Sequence, residues 1–545
     1  MLLARRLLLG AIGTLPLARR AQTQTPQSQP AHRLTILHVN DFHSRHDPVD
    51  SRNLTCSNGE ACFGSSPRLA AAIREQRAAA EQDGRTVILL DAGDQFQGSL
   101  FYTAHHGQAE LAVQHAVGTD AMTLGNHEFD NGPETLARYA AAARFPILSA
   151  NIDATNEPAL APHLKPWTIL NRGALKIGIV GLTTQEARTS SSPGPNIRFD
   201  EPGPALATAA AAARNAGATI ILVLSHLGLP MDRRLDVPGI AAIIGGHTHT
   251  LLSNTEPAAA GPHPTISRHG PLIVQAGCYG RYLGRLDLEL APDGAVIAYG
   301  GAVRRIGQDL TPDPEVAAIV ASFAAPLEAL RRKPVATLPE PLDVALCRIA
   351  QCPLGTLAAQ ALRSAIHDVE HHPTERDHPS DKDARQNKTL ERDPTGTANS
   401  DSSDHALAIG LMNAGGLRVG LPAGTITLGQ VLDAMPFGNT LATTTISGET
   451  LRAAALHGLT MTGRGGYAQW AGLRIQPTLS FIEVQAQDGT WSPLDPAKQY
   501  LLATNNFLRT GGDGYTMLKD GIDPYDTGPS IADLVADALA ALPGK

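Results

Sequence analysis

A chain of 545 residues is longer than one hydrophobic core normally supports, so two domains are expected. Its apolar fraction of 43% is that of an ordinary globular protein. The net charge of -8 and the pI near 6.2 argue against a general binder of nucleic-acid polymers, which would carry a basic excess. Any anionic substrate must therefore be held by local charges or by metal ions.

The start of the chain has the pattern of an export signal. Arg5 and Arg6 stand within a leucine-rich run that is too short, and too closely flanked by arginine, for a comfortable membrane span. The pair could belong to a twin-arginine signal, although Ala4 stands where a polar residue is expected. We predict that residues 1–31 are a signal peptide and polar linker, that cleavage falls near Ala21, and that the protein is periplasmic or secreted. No membrane span is expected after processing.

The five cysteines fit an oxidising compartment. Cys56 and Cys62 are close neighbours, as are Cys347 and Cys352, and such short-loop pairs in an exported protein predict two disulfides. A zinc site is the competing interpretation, but neither pair has the CxxC spacing. Cys278 is left over in an apolar run and is predicted to be a buried free thiol.

Five segments of the first half share one pattern, a short apolar run followed directly by polar residues. Runs this short suit buried strands, and alanine-rich stretches such as 67–80 and 204–215 predict helices between them. The fold class is therefore α/β, with ligands collected at the carboxyl ends of strands. The polar residues at the ends of the five runs are Asp41 and His43; Asp94; Asn126, His127 and Asp130; His226; and His247 and His249.

The remaining chain has a different character. Residues 312–333 predict a linker helix interrupted by Pro326, which separates a domain at 32–311 from a second, glycine-rich domain at 334–545. Within the second domain, the stretch near 367–405 is charged and lacks apolar periodicity, so we predict a disordered insertion. Its histidines could instead form a metal-binding tract, but a solvated loop is the favoured interpretation.

The polar groups of the first domain suit a metal centre. Mixed imidazole, carboxylate and amide ligands bind Zn, Mn, Fe or Co, with zinc favoured here. Seven ligands are too many for one tetrahedral ion and suit two ions that share a carboxylate, for which Asp94 is the natural bridge. Two ions roughly 3.5–4 Å apart support phosphoryl chemistry. His127 is then free to act on the phosphoryl group or the leaving oxygen, with Asp130 orienting its ring.

This arrangement resembles the calcineurin-like metallophosphoesterases, and within them the 5′-nucleotidase family, which includes UDP-sugar hydrolases. The resemblance covers nearly all of the mature chain. It implies a four-layer metallophosphoesterase-type domain joined by a linker helix to a smaller α/β nucleotide-binding domain. It also implies the two ligand sets, namely Asp41, His43, Asp94 and His249 around one ion, and Asp94, Asn126, His226 and His247 around the other. His127 and Asp130 are then the catalytic dyad.

The resemblance extends to nucleotide binding by the second domain. It implies that Arg348, within the Cys347 to Cys352 loop, contacts substrate together with Asn413 and Arg418 of an Asn-x-Gly-Gly-x-Arg loop. Phe437 and Phe507 are similar to two aromatics that enclose the base, and Asp513 to an aspartate that contacts the nucleoside. The chemistry is sound without the resemblance, since aromatic faces stack on bases at roughly 1–3 kcal/mol each and guanidinium groups bind phosphate.

These features predict an exported two-metal phosphohydrolase that removes phosphate from nucleoside 5′-monophosphates. Hydrolysis of UDP-sugars, nucleoside diphosphates or 2′,3′-cyclic nucleotides at the same metals is the first alternative. A non-catalytic secreted nucleotide-binding protein is the second, and the complete set of ligands with His127 and Asp130 argues against it. The sequence carries no signal for a particular oligomeric state.

Overall fold

The computed structural model describes residues 31–51, 56, 61–266, 270–366, 407–475, 481–486, 488–525 and 528–542. The predicted signal peptide and nearly all of the polar linker lie outside these residues, as does the predicted insertion near 367–405. Within them, the α/β fold class is confirmed, because strands and helices alternate along the first domain and recur in the second.

The first-domain strands are β1 (His32–Val39), β2 (Thr86–Asp91), β3 (Ala121–Thr123), β4 (Ile147–Leu148), β5 (Ile152–Asp153), β6 (Leu164–Lys165), β7 (Trp167–Arg172), β8 (Leu175–Thr183), β9 (Arg198–Phe199), β10 (Ile220–His226), β11 (Ala242–Gly245), β12 (Thr265–Ile266), β13 (Leu272–Val274), β14 (Tyr282–Leu290) and β15 (Val296–Arg305). Most of them form two sheets, a first in the order β15-β14-β1-β2-β3-β4-β6 and a second in the order β12-β13-β11-β10-β8-β7.

The helices up to the second domain are α1 (Ser66–Gln82), α2 (Leu100–His105), α3 (Gln108–Val117), α4 (Gly132–Ala142), α5 (Ala187–Ser190), α6 (Pro202–Asn215), α7 (Leu229–Asp232), α8 (Pro314–Ala324) and α9 (Glu328–Arg332). Helices α1 and α6 occupy the two alanine-rich stretches predicted to be helical. Proline stands in the first turn of each, where its missing N–H group costs no hydrogen bond.

The first domain has four layers because its strands bury both faces. Side chains alternate across a strand, so Ile36 of β1 packs toward the second sheet while the adjacent Leu37 packs under α1 and α3. On the far side, Val223 of β10 packs against Leu206 of α6. The helix–sheet–sheet–helix order that the resemblance implies is thus present.

Parallel pairing brings the ends of the predicted strands together. In the first sheet β1 pairs with β2 and β2 with β3, all parallel, and in the second sheet β10 lies parallel between β8 and β11. The loops that follow β1, β2, β3, β10 and β11 therefore leave the sheets at the same edge.

The predicted linker helix is divided at its proline. Helix α8 begins after Asp313, whose side chain accepts a hydrogen bond from the Val316 amide at 3.0 Å, and it packs on α1 and α3. A 3-10 turn, Ala325–Leu327, contains Pro326 and leads into α9. The division follows because proline lacks the N–H group that would continue the helix. The predicted domain boundaries at 311 and 333 stay predictions.

The second domain is built on a sheet in the order β20-β17-β24-β19-β25, with α10 and α14 on one face and α12 on the other. Its strands are β16 (Pro334–Leu338), β17 (Leu407–Asn413), β18 (Gly424–Thr427), β19 (Leu441–Ser447), β20 (Ala468–Ala471), β21 (Leu473–Ile475), β22 (Ile482–Gln485), β23 (Trp491–Pro493), β24 (Gln499–Asn505) and β25 (Ile522–Tyr525). Its helices are α10 (Pro353–Ser364), α11 (Leu428–Ala434), α12 (Gly448–Thr460), α13 (Asn506–Arg509) and α14 (Ile531–Ala540).

Both predicted disulfides are present, Cys56 with Cys62 and Cys347 with Cys352. Cys278 is a free thiol as predicted, but it is half-buried and not buried, because it lies in the loop after β13 and not in the strand itself. Across the ranges given above, each helix is too short or too polar to cross a bilayer.

Candidate functional site

Three predicted ligands meet beneath the edge of the first sheet. His43 Nε2 lies 3.0 Å from His249 Nε2, and Asp41 Oδ1 lies 3.3 Å from the same His249 nitrogen. Asp41 and His43 are fully buried, whereas the His249 side chain is 29% exposed. Two imidazole nitrogens and a carboxylate oxygen therefore converge on one point, as the ligands of a metal ion do.

A second group lies beside the first. His226 Nε2 is 3.0 Å from Asp94 Oδ2, and His247 Nδ1 is 3.0 Å from Asn126 Oδ1. The same Asp94 oxygen lies 3.7 Å from His43 Nε2, so this carboxylate stands between the two groups. The structure thus brings all seven predicted ligands together, with Asp94 at the centre.

The charge balance of the site fits divalent metal ions. His226 Nδ1 donates to the carbonyl of Ala92 at 2.6 Å, while its buried Nε2 faces the Asp94 and Asp41 carboxylates. Burial lowers the pKa of His226, but Asp94 and then Asp41 overcome it and raise this pKa to about 10. The pocket therefore favours positive charge, and its nitrogen and oxygen donors suit a borderline ion.

Asp94 and His43 have electrostatics that suit metal binding. Burial alone would raise the pKa of Asp94, but the imidazoles of His226, His127 and His43 hold it well below its ordinary value. Burial and then Arg418 hold the pKa of His43 well below its ordinary value. Asp94 is thus kept as a carboxylate and His43 as a neutral imidazole, the forms in which both side chains bind metals.

Glu128 shapes the loops that carry the ligands, and the sequence interpretation gave it no role. Its fully buried carboxylate accepts hydrogen bonds from the amides of Gly125 at 2.6 Å, Asp94 at 3.0 Å, Gln95 at 2.8 Å and Phe96 at 3.2 Å. It therefore ties the loop after β2 to the loop after β3. The nearby Gly125 is required, because a Cβ there would lie 2.1 Å from Asp94 Oδ1.

Asn40 and Gln275 support the loops after β1 and β11 in the same way. Asn40 Nδ2 donates to Asp41 Oδ2 at 2.7 Å and to the Gly277 carbonyl at 2.6 Å. Gln275 Nε2 donates to the Gly246 carbonyl at 2.6 Å, directly before His247. The sequence interpretation missed both residues. The available signal was a polar side chain inside or directly after an apolar run.

His127 and Asp130 form the predicted pair. His127 Nδ1 lies 2.6 Å from Asp130 Oδ2, across the 3-10 turn His127–Phe129 in the loop after β3. The side chain of His127 is 11% exposed and that of Asp130 6% exposed. Because Nδ1 is engaged, Nε2 is the ring nitrogen that faces the second domain.

A cleft of about 1070 Å³ connects this centre with the second domain. Asp41, His43 and His226 lie buried beneath its floor. The other predicted residues of the first domain line it, together with all six predicted substrate-binding residues, namely Arg348, Asn413, Arg418, Phe437, Phe507 and Asp513. The two halves of the predicted site thus face one common space.

Arg418 reaches across the domain boundary into the metal centre. Its guanidinium nitrogens lie 3.4 Å from His127 Nε2 and 3.3 Å from His43 Nε2. The Phe437 ring lies 5.7 Å from both the Arg418 guanidinium and the His127 ring. An anionic group bound at the centre would therefore contact Arg418 and lie beside an aromatic face.

Asp513 and Asn413 form the deeper wall of the cleft. Asn413 Nδ2 donates to Asp513 Oδ2 at 2.7 Å, and Asn413 Oδ1 accepts from Asn505 Nδ2 at 2.9 Å. Burial raises the pKa of Asp513 to about 6, even though Asn413 and Arg348 favour its charged form. Phe507 packs close by over Gly512, where a Cβ would lie 2.5 Å from the ring.

The loop that carries Arg348 is held at both ends. Its Cys347–Cys352 disulfide is supplemented by Gln469, whose Nε2 donates to the carbonyls of Cys347 at 2.6 Å and Ala350 at 2.8 Å. The Arg348 carbonyl accepts from the Gly463 amide at 2.7 Å. The arginine side chain itself is exposed to the cleft.

Two known protein families match the two halves of the chain, and single relatives match nearly all of it. Residues 34–251 match the calcineurin-like phosphoesterase family, and residues 334–520 match the 5′-nucleotidase C-terminal domain. A snake venom 5′-nucleotidase from Naja atra is 31% identical over 539 residues, with 93% of this chain and 95% of that protein covered. An apyrase from Tabanus yao is 30% identical, with 92% and 90% covered.

A solved structure gives the same result. The crystal structure of a 5′-nucleotidase precursor from Thermus thermophilus aligns with a TM-score of 0.79 and 32% identity, covering 94% of this chain and 96% of that one. The two-sheet domain and its metal-ligand cluster define a metal-dependent phosphoesterase of the calcineurin-like class. With its second domain, the chain belongs to the 5′-nucleotidase family. The resemblance noted in the sequence is confirmed.

Proposed function

We propose that this protein is an exported hydrolase that removes phosphate from nucleoside 5′-monophosphates. The observation that carries the proposal is the position of Arg418, which extends from the second domain to within 3.4 Å of His127 Nε2 and 3.3 Å of His43 Nε2. A phosphate at this point touches groups of both domains. The Phe437 ring lies in the same cleft, 5.7 Å from the His127 ring, so a nucleoside attached to this phosphate would lie beside an aromatic face of the second domain.

The seven first-domain ligands would hold two divalent ions, and zinc is the ion we propose. Asp41, His43, Asp94 and His249 would hold one ion, and Asn126, His226 and His247 would hold the other together with Asp94. Two such ions would activate water and neutralise the charge of the phosphoryl oxygens. The support is the convergence of these nitrogen and oxygen atoms and the preference of the pocket for positive charge.

His127 acts on the phosphoryl group directly. Asp130 retains the proton on Nδ1, which fixes the ring so that Nε2 points to the substrate. In its imidazolium form the ring carries a second proton on Nε2. This Nε2–H donates a hydrogen bond to a phosphoryl oxygen or transfers its proton to the leaving 5′ oxygen of the nucleoside, which leaves the ring neutral. The Arg418 guanidinium, which lies beside Nε2, neutralises charge on the same group.

The second domain holds the nucleoside. Phe437 and Phe507 enclose the base, Asp513 accepts hydrogen bonds from the sugar hydroxyls, and Asn413 fixes the Asp513 carboxylate. Arg348 adds positive charge at the entrance to the cleft. Because substrate contacts both domains, release of product requires the second domain to move away, and we place the hinge in the linker segment 312–333.

Export is part of the proposal. The basic and apolar start of the chain serves as a signal peptide that is removed near Ala21. Two disulfides in short loops support an oxidising compartment, either the periplasm or the exterior. The measured mass of the mature protein would give the cleavage site, and an intact N-terminus on protein recovered from the cytoplasm would contradict export.

The apyrase among the relatives favours a second candidate activity, the hydrolysis of nucleotides with more than one phosphate. UDP-sugars and 2′,3′-cyclic nucleotides are further candidates at the same centre. In each case the proposed ions and the His127 ring stay the same, and only the group bound beyond the phosphate differs.

A substrate panel tests the assignment. Protein loaded with Zn²⁺ or Mn²⁺ is incubated with AMP, UDP-glucose and 2′,3′-cyclic AMP, and the products are separated and quantified. We expect AMP to give adenosine and phosphate with the highest kcat/KM. Faster cleavage of UDP-glucose or of the cyclic nucleotide would reassign the substrate. The loss of all three activities in metal-loaded protein, matching the His127→Ala control, would indicate a non-catalytic binding protein.

A further inference from the structure

Asp130 has a second partner that the proposed mechanism does not use. Its Oδ2 faces His127 Nδ1, while its Oδ1 accepts a hydrogen bond from the Ser191 hydroxyl at 2.7 Å. Ser191 is 8% exposed and the Asp130 side chain 6%, so water has little access to this contact. The two bonds engage the two carboxylate oxygens from opposite partners, which fixes the plane of the carboxylate.

The plane of the carboxylate decides where the His127 ring points. A carboxylate with one tethered oxygen can rotate about its Cβ–Cγ bond, which would move Oδ2 away from Nδ1 or bring both oxygens toward it. Ser191 removes this freedom, because a buried carboxylate oxygen that loses its donor has a substantial free-energy cost. The direction of His127 Nε2 toward the cleft therefore depends on Ser191, although Ser191 acts only through Asp130.

The backbone around Ser191 keeps its hydroxyl in place. Ser191 directly follows helix α5, and α5 packs against the turn Gly512–Gly514 of the second domain. At the start of the same segment, Glu186 Oε2 lies 3.2 Å from His247 Nε2. The segment thus contacts a proposed metal ligand, the dyad and the domain that carries Asp513.

We propose that Ser191 is a positioning residue for the reaction, which holds Asp130 so that His127 Nε2 is oriented toward the phosphoryl oxygen or the leaving 5′ oxygen. The inference rests on the proposed function, because it requires His127 and Asp130 to act on substrate. Ser191 contributes to turnover and not to substrate affinity, since its hydroxyl donates to the Asp130 carboxylate of the dyad.

A double-mutant cycle tests this role on the full-length, metal-loaded protein. We compare wild type, Ser191→Ala, His127→Ala and the double variant, and measure kcat and KM for AMP together with bound metal. Ser191→Ala should lower kcat about 10-fold, with KM within about 2-fold of wild type and metal content unchanged. In the His127→Ala background, the same change should have no further effect, because the group that Ser191 orients is already gone.

Conservative variants separate the hydroxyl from general packing. Ser191→Thr keeps the hydroxyl and should retain most of the activity. Ser191→Cys keeps the volume but is a weak donor, so it should lose kcat as Ser191→Ala does, and it serves the test if the alanine variant fails to fold. Ser190→Ala is the matched control, because the Ser190 hydroxyl donates to the carbonyl of Glu186, directly before its helix, at 2.9 Å and not to the dyad. It should behave as wild type.

The outcomes distinguish a failure of the positioning role of Ser191 from a failure of the proposed function. If Ser191→Ala lowers kcat equally in the wild-type and His127→Ala backgrounds, Ser191 acts through the fold and the positioning role is wrong, while the dyad stands. Wild-type kcat in both Ser191→Ala and Ser191→Cys would also overturn it. Wild-type turnover in His127→Ala would instead refute the proposed function on which the inference rests.

Discussion

Five of the proposed metal ligands adopt left-handed backbone conformations, with φ of 50° at Asp41, 52° at His43, 57° at Asp94, 71° at His247 and 53° at His249. Such angles are uncommon outside glycine, and Asp and His tolerate them better than most residues. Each ligand stands shortly after a strand, where the chain must turn sharply to present its side chain to the centre. The backbone strain is held by the buried hydrogen bonds of Asn40, Glu128 and Gln275, and strain of this kind is typical of functional sites.

Two substitutions test whether Asp94 binds the metal ions while His127 acts only in catalysis. His127→Ala should leave about as much bound metal as wild type while kcat falls by roughly 10²–10⁴-fold, because proton transfer and charge stabilisation are lost. Asp94→Asn should deplete both ions, since it removes the central charge. Metal analysis of the two purified variants provides the measurement. Loss of metal in His127→Ala would mean that His127 is itself a ligand.

The raised pKa of Asp513 predicts that Asp513→Asn and wild type differ in stability by an amount that depends on pH. The pKa of Asp513 is about 6 in the folded protein, above the ordinary value of 3.8, so ionising this carboxyl lowers the free energy of unfolding. This destabilisation is absent below about pH 4 and reaches its full size above about pH 7. Asp513→Asn keeps an acceptor for Asn413 but removes the charge. The variant should be more stable than wild type by about 1–2 kcal/mol at pH 7.5, with the shift discounted for partial exposure.

Urea unfolding of both proteins at pH 4.5 and pH 7.5 measures this difference. The stability gain of Asp513→Asn should shrink toward zero at the lower pH, while its KM for AMP at pH 7.5 should rise. A gain of equal size at both pH values would show that the carboxylate is not destabilised by its burial.

At the scale of elements, the site is assembled from the loops that follow buried strands. The loop after β2 and the loop after β3 are joined through Glu128, and the disulfide loop before α10 is joined to β20 through Gln469. In both cases a side chain that accepts or donates several backbone hydrogen bonds replaces the regular pairing that a loop lacks. Buried side chains of this kind hold the loops, and with them the functional residues, without extending the sheet.

The disulfide loop yields a prediction about substrate affinity. Replacing Cys347 and Cys352 together by Ala should raise KM for AMP several-fold, because Arg348 loses a fixed backbone, while metal content and kcat change little. The effect should be moderate, since Gln469 still holds the loop. The matched control is the pair Cys56→Ala and Cys62→Ala, which removes the other disulfide and should leave KM at the wild-type value. A loss of bound metal in the variant that lacks Cys347 and Cys352 would contradict the assignment of metal binding to the first domain and substrate affinity to the second.

At the scale of the whole molecule, function depends on how the two domains face each other. The second domain contacts α2 of the first through Asp433, whose Oδ1 accepts from the Leu100 amide at 3.1 Å, and through the Pro436 carbonyl, which accepts from Thr103 at 3.2 Å. Phe437 directly follows Pro436. These contacts bring an aromatic ring of one domain to the dyad of the other, so a substrate bound between them is held by both.

A comparison of two substrates tests this division of labour. If Phe437 and Phe507 enclose the base, replacing both by Ala should cost about 2–5 kcal/mol in kcat/KM for AMP. A phosphate ester with an aliphatic leaving group has no ring to stack and should be hydrolysed nearly as fast as by wild type. Equal losses on the two substrates would point instead to altered folding or domain closure, and the base-binding role would be withdrawn.

Sequence patterns alone predict the strands of the first domain and the candidate metal ligands at their ends. Short apolar runs form buried strands because of their composition, and parallel strands of one sheet end at one edge. Asp94 and Asn126, which follow neighbouring strands of the first sheet, could therefore be placed together from the order of residues alone. The second-domain residues, such as Arg418, came from the resemblance, because a single arginine after two glycines has no pattern of its own.

The residues that support this centre emerge only from the packing of distant segments. Glu128, Gln275 and Ser191 act through hydrogen bonds to groups 25 or more residues away in the chain, as between Ser191 and Asp130, where the separation is 61 residues. The approach of Arg418 to His127 spans 291 residues and depends on the packing of two domains. Local periodicity predicts which residues form a strand, but it does not predict which distant polar group will form a hydrogen bond with a buried side chain.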